Sequence, residues 1–260
     1  MSEHAIITRG LGKRYHASRK LGFRGLFKRQ YKTALRGVDL KVGVGECFGV
    51  LGPNGSGKTT LIKILSTLTM PSEGTASVGG FNVVSQDWKV RQHAALVYMN
   101  QRSFYWRLTG RQNLEFFGSL YNIPSRKLGR RINEVFELVE LSELGDERIT
   151  SYSSGMKSRL AIARGLLPDT PVLFMDEPTV ELDPRATRRM RDFIREKLVR
   201  EAGKTVFLAT NDIKEAEDVC NRVAILRRGE VVAVGSPEEI SETDGSLEDA
   251  FIKLTREGIT

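Results

Sequence analysis

Short, uninterrupted apolar runs alternate along this sequence with stretches whose apolar residues recur at helical spacing. Such runs lie at residues 47–51, 96–99, 171–175 and 205–209. A parallel strand is buried on both faces, so it reads as a continuous apolar run, and these segments fit a mostly parallel sheet. Apolar side chains at helical spacing in residues 186–198 indicate a helix packed on that sheet. The pattern predicts an α/β fold.

Other patterns predict additions to this core. Residues 6–8, 38–42 and 75–78 resemble strands of a small antiparallel sheet, and residues 224–234 resemble a hairpin. The segment after residue 103 is mostly helical in pattern. At 260 residues the chain can bury one such core with a smaller lobe. We predict a single domain over residues 1–260, with the core and its β subdomain at about 1–100 and 160–245, a helical subdomain at about 101–159 and a C-terminal helix at about 246–256.

A glycine-rich motif follows the first apolar run and precedes a helical pattern. Glycines let backbone N–H groups turn around an anion, the helix N-terminus adds positive partial charge, and the motif's lysine supplies a cation. An accidental glycine-rich turn is the alternative, and the strand and helix around the motif favour a nucleotide site. The predicted nucleotide-binding residues are Gly52, Pro53, Asn54, Gly55, Ser56, Gly57, Lys58, Thr59 and Thr60.

Two acidic residues end a later apolar run, at residues 171–175. Asp176 can orient a magnesium ion, and Glu177 can polarise a water for attack on a terminal phosphate. A solvated acidic turn before Pro178 is the alternative.

Small residues open another predicted helix. Ser153, Ser154 and Gly155 precede a helical pattern, so they form a second anion site by the same dipole argument. An ordinary helix N-cap explains Ser153 or Ser154 equally well.

The order and spacing of these segments resemble the ATP-binding cassette (ABC) family, specifically the nucleotide-binding subunits of membrane transporters. In that resemblance residues 52–59 match the Walker A loop, residues 152–156 the signature, Asp176 and Glu177 Walker B, and Asp183 the D-loop. Gln101 matches the Q-loop. The tail at residues 246–255 is similar to drug and polyketide exporters with ABC-2 type permeases.

The resemblance implies ATP and Mg²⁺ as ligands and a role for each matched residue. Glu177 activates water, with Lys58 and Gln101 also catalytic, while Thr59, Gln101 and Asp176 hold the magnesium ion. Ser153, Ser154, Gly155 and Asp183 serve the nucleotide of a second cassette, expected as a homodimer partner. Tyr15 falls where the family stacks an aromatic ring on adenine, with Tyr31 as the fallback.

Three departures from the family pattern stand out. The signature carries Tyr152, Ser154 and Met156 at its first, third and fifth positions, and residues 180–181 precede the D-loop where a glycine is usual. Asn211 occupies the place of the switch histidine. An amide donates a hydrogen bond but cannot become a cation, so we expect ATP hydrolysis to be slow but real. The alternative is a loop residue before a helix capped by Asp212.

The net charge of +8 is concentrated in residues 9–32, which hold nine lysines and arginines and no acid. The basic insertion at residues 16–32 can rest on anionic lipid headgroups or on a permease, or it can be a solvated loop. We expect no nucleic-acid partner, because no recognition motif accompanies this charge. Residues 104–106 are aromatic and form either core or a permease docking surface.

No apolar run is long enough to cross a membrane, and the start lacks the layout of a secretory signal. We therefore expect a cytoplasmic protein, held at the inner face of the membrane by permease subunits. Two alternatives remain open: an ABC ATPase without a permease, acting as a scaffold or on nucleic acid or ribosomes, and a regulatory cassette that binds ATP with impaired hydrolysis.

Overall fold

Two sheets organise the chain, and the apolar runs of the sequence form the strands of the larger one. The computed structural model describes residues 3–16, 31–97, 103–180, 182–242 and 245–256. The smaller sheet is antiparallel with the order β2-β1-β4-β5, and the larger has the order β10-β9-β3-β8-β7-β6. In the larger sheet only the β9/β10 pairing is antiparallel. The predicted α/β class, with a mostly parallel sheet and a separate antiparallel one, is confirmed.

The strands have the following bounds: β1 His4–His16, β2 Tyr31–Gly43, β3 Cys47–Leu51, β4 Glu73–Val78, β5 Phe81–Asn82, β6 Ala94–Val97, β7 Val172–Asp176, β8 Thr205–Thr210, β9 Arg222–Arg227 and β10 Glu230–Gly235. The helices are α1 Lys58–Leu65, α2 Asp87–His93, α3 Gly110–Leu120, α4 Ser125–Leu138, α5 Ser154–Leu166, α6 Pro184–Asp192, α7 Ile213–Val219, α8 Pro237–Ser241 and α9 Leu247–Thr255. A π-helical segment, Phe193–Glu201, continues α6 directly.

Alternate residues of the central strands serve two different cores, because side chains on a strand point to opposite faces in turn. One core lies between the larger sheet, α1 and the antiparallel sheet, and it includes Phe48, Val50, Phe174 and Phe207. The other lies against α3, α4, α5 and the C-terminal helices, and it includes Cys47, Leu51, Leu173 and Leu208. Burial on both faces explains why the interior positions of these strands are apolar. Helix α1 is thereby fixed between the two sheets, directly after the glycine motif.

Helices α3, α4 and α5 lie between β6 and β7 in the chain and pack on one another through the second core. The predicted helical character of this segment is confirmed, while the proposed subdomain limits stay a prediction. Most of the basic insertion, residues 17–30, lies outside the described residues. Among the residues described, no helix combines the length and the apolar character that crossing a bilayer requires.

Candidate functional site

The phosphate loop, residues 52–59, joins β3 to α1 and depends on glycine for its shape. Gly57 is the N-cap of α1 and has φ 116°, a backbone conformation that L side chains rarely adopt. A Cβ added there would lie 2.6 Å from the carbonyl oxygen of Ala34. Only glycine therefore fits this position without displacing the adjacent strand β2.

Backbone amides at the start of α1 remain available to a ligand. The amide of Leu61 donates to the Gly57 carbonyl at 2.9 Å and makes the first helical hydrogen bond. The preceding amides, of Lys58, Thr59 and Thr60, have no acceptor one turn earlier, as at any helix start. Among the described residues, no side chain caps this end of the helix. The loop thus presents several donors and the positive end of a helix dipole to an anion.

Lys58 lies buried beneath the loop and beside the acidic end of β7. Its Nζ donates to the carbonyls of Gly52 at 2.6 Å and Pro53 at 3.4 Å, and it lies 3.7 Å from Oε1 of Glu177. Burial lowers the pKa of this amine, and the negative charges of Glu177 and Asp176 oppose that shift. The ammonium group is therefore held between the loop and the carboxylates, where a phosphate would also lie.

The phosphate loop is held on one side by the turn between β9 and β10, which is distant from the loop in sequence. The amide of Gly229, in the turn between β9 and β10, donates to the Ser56 carbonyl at 2.8 Å. The Gly229 carbonyl accepts from the amide of Arg36 in β2, also at 2.8 Å. A hairpin turn thus connects the loop to the antiparallel sheet.

The acidic pair stands at the carboxyl end of β7. Asp176 ends the strand, and its Oδ1 is buried with no hydrogen-bond partner among the described residues. Glu177 has φ 49°, which costs a residue other than glycine about 1–2 kcal/mol. Its amide donates to the Ala209 carbonyl of β8 at 2.8 Å, which holds the residue in that conformation. A buried carboxylate oxygen without a partner suits a hard cation such as Mg²⁺, which prefers oxygen ligands.

Asn211 follows β8 and lies beside the phosphate loop. Its Nδ2 donates to Oδ1 of Asn54 at 3.4 Å, so the two side chains meet across the loop. The Thr210 carbonyl, one residue earlier, accepts from the Gly52 amide at 3.3 Å. Asp212 caps α7 by accepting from the Glu215 amide, as the sequence alternative expected. Asn211 can thus be both a neighbour of the loop and the residue before a capped helix.

A pocket of about 260 Å³ lies over the phosphate loop. Tyr15 lines it from β1, whereas Tyr31 does not and instead contacts His16 in a tilted arrangement with ring centroids 4.7 Å apart. The amine of Lys13 lies 5.0 Å from the centre of the Tyr15 ring. The lining residues are Tyr15, Lys32, Thr33, Ala34, Asn54, Gly55, Gly57, Lys58, Thr59, Thr60 and Glu177.

Sequence reasoning missed Lys32, Thr33 and Ala34 in this lining. These residues carry no local motif, and it is the antiparallel pairing of β1 with β2 that places Tyr15 opposite Lys32 and Arg14 opposite Thr33. That register brings the start of β2 to the same rim as Tyr15.

The signature segment lies at the start of α5. Ser153 is the N-cap: its Oγ accepts from the Met156 amide at 3.2 Å, and its own amide donates to the Met156 sulfur at 3.4 Å. Gly155 lies against α6, where an added Cβ would contact that of Ala186 at 3.4 Å. Asp183 caps α6 and accepts from two backbone amides; the bond from Ala186 contributes most to lowering its pKa.

The structure therefore brings the predicted residues together in two groups. The phosphate loop, Glu177 and Tyr15 share one pocket, with Asp176 and Asn211 adjacent. Ser153 and Gly155 line a separate small pocket with Ala186 and Arg189, near the cap made by Asp183. Within the described part of the chain, no residue lines both pockets. Gln101 lies outside the described residues.

The aromatic residues after Gln101 divide into two kinds. Phe104 is 3 % exposed and packs edge-on against Phe117, whereas Tyr105 and Trp106 are 49 % and 60 % exposed. Core packing thus explains the first of the three residues and not the other two.

Comparisons with known proteins agree with this geometry. The family model described as ABC transporter matches residues 35–180. The daunorubicin resistance ATP-binding protein DrrA3 of Streptomyces coeruleorubidus is 38 % identical over 97 % of this chain and 75 % of its own length. The ABC transporter ATP-binding protein NatA of Bacillus subtilis is 32 % identical over 88 % of this chain and 92 % of its own length.

Solved structures show the same fold. CbiO1 from Clostridium perfringens, part of the transporter complex cbiONQ, aligns with a TM-score of 0.78 at 23 % identity over 93 % of this chain and 92 % of its own. The cassette MJ0796, in a dimeric post-hydrolysis state bound to ADP and phosphate, aligns with a TM-score of 0.71 at 27 % identity over 89 % of this chain and 98 % of its own.

Proposed function

The chain belongs to the ABC transporter family as an ATP-binding and ATP-hydrolysing subunit that powers a membrane transporter, and we propose that two copies close around ATP to drive export. The observation that carries the proposal is the division of the site within one chain. The phosphate loop and the acidic pair lie at one pocket, and the signature segment lies at another. A second copy would supply the missing half. The dimeric state of the relative MJ0796 supports this arrangement.

ATP binds first through its phosphates. The amides at the start of α1 and the Lys58 ammonium surround the β- and γ-phosphates, whose oxygens replace the loop carbonyls as acceptors for Nζ. Tyr15 stacks on the adenine base from the rim of the same pocket, and its position there favours it over Tyr31. Lys32 and Thr33 border the same space and contact the sugar or base.

Thr59, Asp176 and Gln101 would hold a magnesium ion that accompanies ATP. The unpartnered Oδ1 of Asp176 and the hydroxyl of Thr59 are oxygen ligands of the kind that this cation prefers. Bound there, the ion would neutralise part of the phosphate charge.

Glu177 is the general base of the reaction. Its carboxylate takes a proton from water as the water oxygen attacks the γ-phosphorus, and the bond from that phosphorus to the bridging oxygen of ADP breaks. The strained backbone at Glu177 is held by its bond to Ala209, so the carboxylate keeps its direction at the end of β7. The products are ADP and inorganic phosphate.

Asn211 donates its amide toward the γ-phosphate and limits the rate. An amide stabilises developing charge less than an imidazolium does, so turnover is slow but present. The contact from Asn211 to Asn54 fixes the side chain beside the loop. Replacing Asn211 by His should raise the rate of phosphate release; an unchanged or lower rate would count against this limitation.

Ser153, Ser154 and Gly155 of one copy reach the γ-phosphate held by the other, and Asp183 faces the same junction. Hydrolysis removes the phosphate that joins the two copies, so they separate. Tyr105 and Trp106 provide an exposed apolar surface beside the helical segment. We assign that surface to a permease, with Gln101 passing the motion to it.

The relative named as a daunorubicin resistance ATP-binding protein supports the exporter assignment. The partner in this proposal is an ABC-2 type permease. In this proposal the subunit works at the cytoplasmic face of the membrane.

The test of the proposal is Glu177→Gln. The amide cannot accept the proton, so the variant should bind ATP, lose hydrolysis and accumulate as a dimer in size-exclusion chromatography with ATP and Mg²⁺. Lys58→Ala is the matched control, because it should stay monomeric for lack of ATP binding. Hydrolysis by Glu177→Gln at the wild-type rate would refute the base assignment. A wild-type protein without phosphate release would favour a binding-only regulatory cassette.

A further inference from the structure

Arg191 is a largely buried cation at the junction of α6 and α7, and the ATPase mechanism above does not use it. Its side chain is only 12 % exposed. Nη2 lies 2.6 Å from Oδ2 of Asp212, and Nη1 lies 3.1 Å from Oδ2 of Asp218. The Nε atom is buried without an acceptor among the described residues. The guanidinium is thus committed to two carboxylates at opposite ends of α7.

One of those carboxylates adjoins the residue at the switch position. Asp212 directly follows Asn211, caps α7 through Oδ1 and gives its other oxygen, Oδ2, to Arg191. Its amide donates to the hydroxyl of Thr210 at 3.0 Å. Both backbone neighbours of Asn211 are therefore fixed, one by the strand end and the other by the arginine.

The opposite end of α6 is the cap made by Asp183, which the proposed dimer places against the partner subunit. Arg191 lies on this same helix, two turns further on. A change in the position of α6 when the two copies close is thus carried to Asp212. The link depends on one arginine that lies outside the motifs matched above.

Packing beneath α7 makes this link stiff. Glu215, in its first turn, is fully buried between the end of β8 and the segment after Glu177, and neither of its carboxyl oxygens has a hydrogen bond of good geometry within the described residues. Burial raises the pKa of its carboxyl, and the neighbouring hydroxyls of Thr210 and Thr179 act in the opposite direction. A helix seated on a close-packed interior moves as a body rather than by local bending.

We propose that Arg191 is a positioning residue for the ATPase reaction, which holds Asn211 at the γ-phosphate through Asp212 and couples it to the D-loop helix. This inference rests on the proposed function and adds a residue to it.

Two variants test the proposal. Arg191→Met keeps a side chain of similar volume and removes its charge. Arg191→Lys keeps the charge, but its single ammonium group cannot bind both carboxylates as the guanidinium does. Arg195→Met is the matched control, because Arg195 lies one turn further along, donates to the Asp218 carbonyl at 2.9 Å and pairs with Asp192 and Glu196. Among the described residues, the hydrogen bonds and ion pairs of Arg195 do not include Asp212. Each protein is assayed for kcat, the KM for ATP and the melting temperature.

Arg191→Met should lower kcat about ten-fold or more, since a small displacement of a reacting group is costly. Its KM should stay near the wild-type value, and Arg191→Lys should recover part of the rate. Arg195→Met should keep kcat, and any fall in its melting temperature measures the cost of losing neighbouring ion pairs that do not include Asp212. Equal kcat losses in Arg191→Met and Arg195→Met, or an unchanged kcat in Arg191→Met, would overturn the proposal.

A double-mutant cycle with Asn211→Ala provides a readout that a purely structural role would not change. If Arg191 acts through Asn211, adding Arg191→Met to Asn211→Ala should cost little further rate, whereas additive losses would refute the link. Hydrogen exchange of residues 209–214 supplies a measure that needs no turnover. It should be faster in Arg191→Met than in Arg195→Met, and equal exchange would overturn the proposal even if the wild type proved inactive. If the wild-type protein did not hydrolyse ATP, that result would count against the proposed function and not against the role of Arg191.

Discussion

The N-termini of α1 and α5, which both serve the nucleotide in this proposal, are capped in opposite ways. Helix α1 begins at Gly57, with a left-handed backbone and no side-chain cap, so its first amides stay available to a ligand in the same chain. Helix α5 begins at Ser153, whose hydroxyl already accepts the Met156 amide. The first start leaves its amides open to a phosphate, whereas at the second start the Met156 amide already has its acceptor. A hydroxyl both accepts and donates, so Ser153 can keep this bond and still donate its own O–H to the partner's ATP.

Of the substitutions that test this difference between the two helix starts, Gly57→Ala should have the largest effect on stability and ATP binding. Alanine would have to adopt the strained backbone at φ 116°, and its methyl carbon would lie 2.6 Å from the Ala34 carbonyl oxygen. Together these should cost at least about 2 kcal/mol of folding stability and abolish ATP binding. Urea unfolding and calorimetric titration with ATP measure the two losses.

Gly155→Ala is the contrasting change at the other helix start. Its Cβ would be at an ordinary 3.4 Å from that of Ala186, and alanine favours helix, so the stability of the single chain should be kept or rise by about 0.5 kcal/mol. ATP binding should persist while hydrolysis falls, because Gly155 lies at the proposed junction with the partner's phosphate. A stability loss as large as that of Gly57→Ala would erase the distinction between the two starts.

Ser153→Ala should have an intermediate effect. Removing the cap costs about 1 kcal/mol of stability, and the loss of the hydroxyl from the partner's phosphate should lower hydrolysis about ten-fold. Ser246→Ala is the matched control, since Ser246 caps α9 in the same way by accepting the Asp249 amide at 3.1 Å. The control should share the stability loss and keep the ATPase rate. Equal ATPase rates in both variants would assign Ser153 to capping alone.

Tyr152→Phe should have the smallest effect, and the part that depends on titration of the hydroxyl should appear in alkali. The hydroxyl donates to the Leu144 carbonyl, and burial, followed by the charges of Glu147 and Asp146, raises the pKa of Tyr152 to about 12. A raised pKa stabilises the fold below the unfolded pKa of about 10, and that contribution is lost as the pH rises from about 10 to 12. The free energy of unfolding should fall more steeply in the wild type than in Tyr152→Phe over that range. Parallel curves would show that the hydroxyl does not titrate with folding.

Much of the fold follows from residue patterns that are local in sequence. The strands β3, β7 and β8 are predictable because burial on two faces leaves their interior positions apolar. The phosphate loop is predictable because its glycines and its lysine carry the geometry. The family assignment follows from the order of such segments, and the comparisons confirm it.

What the sequence left open depends on which residues meet across the fold. Phe104 and Trp106 are both aromatic, yet only packing against Phe117 decides that the first is core. Ser153 could be a cap or a ligand, and the structure gives it a cap without removing the second role. Arg191 carries no local signal, because its partners become neighbours only when α7 folds against α6.

The turn at Gly229 also bears on how the protein matures. Its two backbone hydrogen bonds join the phosphate loop to β2, although the loop is synthesised long before β9 and β10 leave the ribosome. A growing chain therefore contains the complete glycine motif but lacks one wall of the cavity that gives the motif its shape. The nascent cassette should therefore reach its full affinity for ATP only after β9 and β10 have been synthesised, because the order of the strands delays completion of the cavity.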